Sequence, residues 1–254
     1  MAGIRGVLVD LDGTLLDGEL AAPGAGAFLD RLRSAALPFR VATNNTRRSR
    51  AEIADALRRV GLEVAAADVV LPAALARRRI VESGDPRAML LVPDGARRDF
   101  EGVAEAGEDA AWVVIGDLGA GFTFERLDAA FRALHAGGRL LALHRNRYWF
   151  PSSAKGPVLD AGGFVAALEF AAGVEAEVVG KPSPAFFRLA VGELGLAPAE
   201  VLVVGDSVDN DGVGARDAGC RVAVVRGAAF REERIEASGL RPDLLVDSVG
   251  VLEP

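Results

Sequence analysis

Asp10 and Asp12 stand two residues apart, directly after the apolar run of residues 4–9 and before Gly13 and Thr14. Asp is a poor strand residue and is rarely buried without a partner, so packing does not explain the pair. Carboxylates this close repel each other unless a cation or a shared proton intervenes. They suit a metal-assisted nucleophile together with a general acid/base. The alternative is an Asx turn that ends a strand, with Gly13 supplying the backbone freedom. A calcium loop would need a longer acidic series closed by Glu, and Leu15-Leu16 interrupts it.

Three further apolar runs end in distinctive polar groups. Residues 39–42 lead into Thr43 and Asn44, residues 176–179 into Lys181, and residues 201–204 into Asp206. In open α/β sheets, ligands bind outside the carboxyl ends of the strands. If these four runs share one parallel sheet, the polar groups meet at one edge. Three carboxylates with one Lys and one hydroxyl match a hard, oxygen-liganded cation such as Mg²⁺ and a phosphate. Thr43, next to free N–H groups at a helix start, can cradle phosphate oxygens. Lys181 can neutralise charge on a transferring group. His135, His144 and Cys220 read as structural residues rather than as a second nucleophile.

The elements that must hold these residues follow from periodicity. Short Val/Ile/Leu-rich runs read as buried parallel strands, and i, i+3, i+4 apolar spacing reads as helix. Phe28, Leu29 and Leu32 mark one helix. Ile53, Ala56, Leu57 and Val60 mark a second, with Ser49 and Glu52 as a capping box and Gly61 as a C-cap. A middle stretch repeats the pattern: strands at 88–92, 111–115 and 139–143, helices at 124–136 and 164–172. Pro93-Asp94-Gly95 reads as a turn, and residues 102–109 and Pro151-Ser152-Ser153 as loops. The last part returns to strands at 176–179, 201–204, 222–225 and 244–246, with helices at 184–194 and 213–218. Strands alternating with helices predict an α/β chain whose parallel sheet carries helices on both faces.

Composition narrows the partners. A formal net charge of −7 over 254 residues argues against a nucleic-acid binder. One cysteine allows no internal disulfide and fits a reducing compartment. No apolar run approaches the ~20 residues of a membrane span. The opening residues, with a single Arg5, do not read as a signal peptide, so the expected location is the cytoplasm, without a membrane partner.

At this point the chain resembles the haloacid dehalogenase (HAD) superfamily of phosphatases. Asp10-Leu11-Asp12-Gly13-Thr14 is similar to its first motif, Thr43-Asn44 to its second and Lys181 to its third. Residues 205–211, Gly-Asp-Ser-Val-Asp-Asn-Asp, resemble the acidic fourth. Thr43 stands 33 positions after Asp10, room for one helix, and Lys181 138 positions after Thr43, room for a full cap. That spacing is similar to the class IIA group with a type-2 cap. Thr43-Asn44, residues 89–92, His144 with Arg147-Tyr148, Phe164-Val165 with Ala167-Leu168-Glu169, and residues 178–182 are similar to its phospholysine/phosphohistidine/inorganic pyrophosphate phosphatase branch.

The resemblance implies a Rossmann-like HAD core at 1–74 and 176–254 and an inserted α/β cap at 75–175. It implies a Mg²⁺-dependent phosphatase acting on a small phosphorylated metabolite. Asp10 would form an aspartyl-phosphate, and Asp12 would be the general acid/base, touching the metal through its backbone carbonyl. Asp10 and Asp206 would supply carboxylate ligands, Thr43 and the Asn44 N–H would hold phosphate, and Lys181 would bridge nucleophile and phosphate. Asn45 would support this set. Asp211 would orient Lys181 or the metal waters, or open the following helix. His144, Arg145 and Arg147 are candidates for reading the substrate, or else a solvated strand end. The cap would also pair two copies into a homodimer. A phosphotransferase, or a phosphate-sensing protein without turnover, is the competing expectation.

Overall fold

Buried apolar runs become the strands of two parallel sheets. The computed structural model describes residues 3–149 and 156–253, so the expected loop at Pro151-Ser152-Ser153 lies outside the described residues. The chain forms two compact units. One contains the described residues through Thr43, Arg50–Val70, and those from Lys181 onward; the other contains Asn44–Ser49 and Leu71–Gly180.

In the first unit the sheet runs Leu244–Val246, Arg221–Val225, Val201–Gly205, Gly6–Val9, Phe39–Ala42, Val69–Val70, and every pairing is parallel. Gly6–Val9 and Val201–Gly205 are buried throughout, which is why they read as continuous apolar runs rather than alternating ones. Successive side chains point to opposite faces. Leu8, Val203, Val222 and Val224 pack with Phe186, Phe187, Ala190 and Val191 of helix Pro184–Leu194, and Cys220 lies in this cluster as a small apolar residue. Phe28, Leu29 and Leu32 of helix Ala25–Ser34, and Ile53 and Leu57 of helix Arg50–Arg59, are the buried positions expected from their spacing. Gly61 has φ +81°, the left-handed conformation of a C-cap.

In the second unit the order is Glu177–Val178, Arg139–Ala142, Trp112–Ile115, Arg87–Leu91, Ala104–Glu105, again all parallel. Helices Phe124–His135 and Ala161–Ala172 belong to it. Three local expectations change. The turn at 93–95 is the start of a short helix, Asp94–Arg97. The loop at 102–109 contains the edge strand Ala104–Glu105, whose exposed residues carry no apolar pattern. Helix Ala161–Ala172 begins three residues earlier than its apolar spacing indicates, because the Asp160 carboxylate caps it by accepting the Ala161 N–H at 2.7 Å. Among the described residues no helix is long and apolar enough to cross a membrane.

Candidate active site

Asp10 directly follows Gly6–Val9, and its N–H donates to the Val204 carbonyl at 2.8 Å. Asp206 follows the neighbouring strand Val201–Gly205, and Thr43 follows Phe39–Ala42 on the other side. All three are buried. From Gly6–Val9 the chain first adds strands on one side and later returns on the other, so the strand order reverses between Gly6–Val9 and Val201–Gly205. The crevice at such a reversal is where open α/β sheets take their ligands.

Lys181 reaches this place by a route other than the expected one. The strand before it, Glu177–Val178, pairs with Arg139–Ala142 in the second unit's sheet, not with the strands that carry Asp10 and Asp206. Lys181 instead opens the turn ahead of helix Pro184–Leu194, followed by a cis bond to Pro182. Its buried Nζ donates to Asp10 Oδ1 and, at 2.6 Å, to Asp211 Oδ1. Asp211 sits in a wide π-type turn, Val208–Val213, whose Asp211 and Gly212 N–H groups both donate to the Ser207 carbonyl. The Ser207 N–H returns a bond to Asp211 Oδ2 at 3.2 Å. Gly205 makes this fold possible, since a Cβ there would collide with the Asp211 carboxylate.

Asp10, Asp206 and Asp211 each bring a carboxylate oxygen within 4.8 Å of the others. The Lys181 ammonium lies against two of them. Three carboxylates and one ammonium leave two negative charges in excess. Burial, then the Asp211 charge, lifts the Asp10 carboxyl well above its usual range, although Lys181 pulls it down. Burial pushes Asp206 up to about 6, against the pull of the Ala229 N–H. Burial also opposes charge on Lys181, but the Asp10 and Asp211 carboxylates outweigh it and hold the proton more firmly than usual. A divalent cation would supply the missing charge, and an all-oxygen donor set suits a hard one. The residues therefore fit a Mg²⁺-type ion. Asp12 is exposed, and the chain turns back beyond it, with Asp12 bridged to Leu16.

Two expected results follow from this packing. Asp206 ionises near 3.8 in the unfolded chain and near 6 in the folded, metal-free one. Between those values the unfolded state holds fewer protons, so stability falls as pH rises, by about 2–3 kcal/mol in total. Urea melts of the chelated protein at pH 4 and pH 7 should show this loss, and Asp206→Asn should reduce it by about that amount. If the variant keeps the wild-type pH dependence, Asp206 is not its source. Separately, Gly13 has φ +84°, and a Cβ on it would collide with Asp206 Oδ2. Gly13→Ala should therefore cost about 2–4 kcal/mol; a melt within about 0.5 kcal/mol of wild type would contradict the close approach.

The remaining predicted residues lie in the second unit. Asn44 and Asn45 open its segment 44–49, and Asn45 Oδ1 accepts the Arg47 and Arg48 N–H groups at 3.0 and 3.1 Å. His144 is buried, with Nε2 at 3.2 Å from Thr46 Oγ1, while Nδ1 faces the Asn146 N–H at 3.3 Å. Burial lowers its pKa, against the pull of Asp160. Arg145 pairs with Glu169, and Arg147 is exposed. Sequence reasoning did not single out Ala229, whose N–H donates to Asp206 Oδ2 at 2.7 Å. No side-chain type could have signalled that contact.

Residues 7–104 match a family model described as haloacid dehalogenase-like hydrolase, and residues 178–252 match a second, HAD hydrolase-like model. A Bos taurus protein named phospholysine phosphohistidine inorganic pyrophosphate phosphatase is 37% identical over 98% of this chain and 93% of its own length. The chain belongs to the haloacid dehalogenase-like hydrolase family. A Homo sapiens member, haloacid dehalogenase-like hydrolase domain-containing protein 2, is 36% identical over 96% of this chain and 93% of its own. Among solved structures, p-nitrophenyl phosphatase from Archaeoglobus fulgidus superposes with a TM-score of 0.89 at 28% identity, covering 97% of both chains. NagD from E. coli K-12 shares the fold, with a TM-score of 0.90 at 22% identity over 98% of each chain. As expected from the sequence, the architecture is that of the HAD fold with its cap.

Proposed function

We propose that this protein is a Mg²⁺-dependent phosphatase that hydrolyses a small phosphomonoester, phosphoamide or pyrophosphate through an aspartyl-phosphate on Asp10. The observation that carries the proposal is the buried Asp10 carboxylate, bonded to Lys181 and grouped with Asp206 and Asp211 at the reversal of strand order. The bovine relative's name supports the phosphoamide and pyrophosphate part of the range, and the archaeal structure's name supports the ester part.

Each step can be assigned to a residue. Asp10 Oδ1 accepts the Lys181 bond, so Oδ2 is the oxygen for attack on phosphorus. The Asp10 oxygen–phosphorus bond forms as the bond to the leaving group breaks, and the bonding pair departs with that group. Asp12, exposed at the chain's turn, gives the leaving group its proton. It then takes a proton from water as the water attacks phosphorus, which releases inorganic phosphate and restores Asp10. Thr43 offers its hydroxyl to phosphate oxygens, and Lys181 balances charge on the transferred group. The carboxylates of Asp10 and Asp206 with the Asp12 carbonyl would hold Mg²⁺, which supplies positive charge against the phosphoryl oxygens.

The test is phosphate release with Mg²⁺ from 4-nitrophenyl phosphate, phosphoglycolate, pyridoxal phosphate, sugar phosphates, nucleotides, pyrophosphate and a phosphoamide. Release that disappears on chelation is the expected result, and the best substrate names the leaving-group class. Folded, metal-loaded protein that releases phosphate from none of them would point to a binding role instead.

A further inference from the structure

The structure assigns a positioning role to the Ala229 N–H: with Gly13 and Gly227 it confines one oxygen of Asp206, so that this residue offers a cation a single oxygen and the site favours Mg²⁺ over Ca²⁺. The inference rests on the proposed metal site and concerns what shapes it.

Asp206 Oδ2 is closed in by backbone from two segments. The Ala229 N–H donates to it at 2.7 Å. Gly13, at φ +84°, approaches the same oxygen so closely that a Cβ would collide with it, while Oδ1 would lie farther off, at 3.1 Å. A Cβ on Gly227 would collide with the Gly13 carbonyl and stand 2.7 Å from both Oδ2 and the Cβ of Asp206. The turn that presents the Ala229 N–H is itself held. The Phe230 N–H donates to the Gly227 carbonyl at 3.3 Å, and the Arg226 N–H donates to the Val246 carbonyl at 2.8 Å. The Arg226 guanidinium lies 5.6 Å from the centre of the Phe230 ring and pairs with Asp247 at 3.2 Å.

Oδ2 accepts the Ala229 N–H and is crowded by Gly13 and Gly227, so Oδ1 is the more open oxygen for the cation. Mg²⁺ accepts single carboxylate oxygens in a tight octahedron, whereas Ca²⁺ gathers six to eight oxygens and commonly takes both from one carboxylate. A carboxylate held in this way suits the first ion and withholds a ligand from the second. The Ala229 N–H therefore acts on metal choice through Asp206 without touching the metal.

The experiment measures thermal stabilisation of the chelated protein by Mg²⁺ alone and by Ca²⁺ alone, and so needs no turnover. Ala229→Pro deletes the N–H. Because Pro can disturb the turn, a second protein carries lactate in place of Ala229, an amide-to-ester change that removes the N–H and keeps the side chain. Ala229→Gly retains the N–H as a control. Both N–H-deleted proteins should bind Mg²⁺ about 10-fold more weakly, the scale expected for an outer partner of a ligand. Their Ca²⁺ affinity should hold or rise, so the Mg²⁺:Ca²⁺ preference falls, while Ala229→Gly keeps it. An ester protein that retains the wild-type preference, whether its affinities hold or fall equally for both ions, overturns the inference and leaves the metal site standing. Wild-type protein that gains no stability from Mg²⁺, and matches Asp206→Asn in this, overturns the metal site and the inference with it.

Discussion

Asp10→Asn should lower phosphate release by about 10⁴-fold or more, while the variant melts no lower than wild type in chelator. The first half follows from the proposed role: an amide oxygen is a far weaker nucleophile than a carboxylate, and removing a covalent nucleophile is among the largest single-residue losses known in enzymes. The second half follows from the charge balance. Asp10 is buried beside Asp211 and Asp206, with Lys181 as the opposing charge. Asn has the same shape and carries no charge, so the metal-free cluster falls from an excess of two negative charges to one. Its amide oxygen still accepts the Lys181 bond. Activity and metal-free stability therefore move in opposite directions, which general damage to the fold would not produce. Release assays and urea melts on the same preparation decide it. Turnover within about tenfold of wild type would remove Asp10 as the nucleophile, and a variant that melts well below wild type would show that its charge is already compensated without metal.

The sequence was most legible where one residue's type carries the information. Gly6–Val9 and Val201–Gly205 are buried along their whole length, so the apolar runs announced the strands. Carboxylates just beyond such runs announced Asp10 and Asp206. Lys181 was singled out for a reason that the fold does not share. The apolar run before it becomes a two-residue strand that pairs with Arg139–Ala142, and nothing within so short a strand specifies which sheet it joins. Pairing is decided by the partner strand, a non-local contact. Ala104–Glu105 escaped notice because both residues are exposed and the strand buries no face. Gly205, Gly227 and Ala229 shape the site through a missing Cβ or a backbone N–H. Those groups exist in nearly every residue, so only the folded arrangement gives them meaning. Asp211 lies between these cases. Its type was conspicuous, but the choice between opening a helix and contacting Lys181 waited on the wide turn at Val208–Val213.

Lys181 yields the other large effect, and its size depends on pH. Lys181→Met keeps the length of the chain and removes the ammonium that Asp10 and Asp211 share. Taking one partner from a buried ion pair costs about 3–5 kcal/mol, because the other charge is left without compensation. Here two carboxylates lose that compensation, with Asp206 close by. Asp10, already raised by burial and held down by Lys181, then keeps its proton to higher pH than in the wild-type protein. A carboxyl whose folded pKa lies above its unfolded one lowers stability as pH rises from the unfolded value through the folded value. Lys181→Met should therefore be strongly destabilised at pH 8 in chelator and recover a large part of the loss at pH 5. Mg²⁺ should also restore more stability to the variant than to wild type, since it supplies charge of the missing sign. Phosphate release should fall by about 10²–10³-fold even in saturating Mg²⁺, the scale of losing one preorganised charge on the transferred group. Urea melts at the two pH values, with and without Mg²⁺, measure each part. A loss of equal size at pH 5 and pH 8 would mean that Lys181 contributes through packing of its stem. Melting that changes with pH as described, together with undiminished turnover, would place its charge in the service of the fold alone.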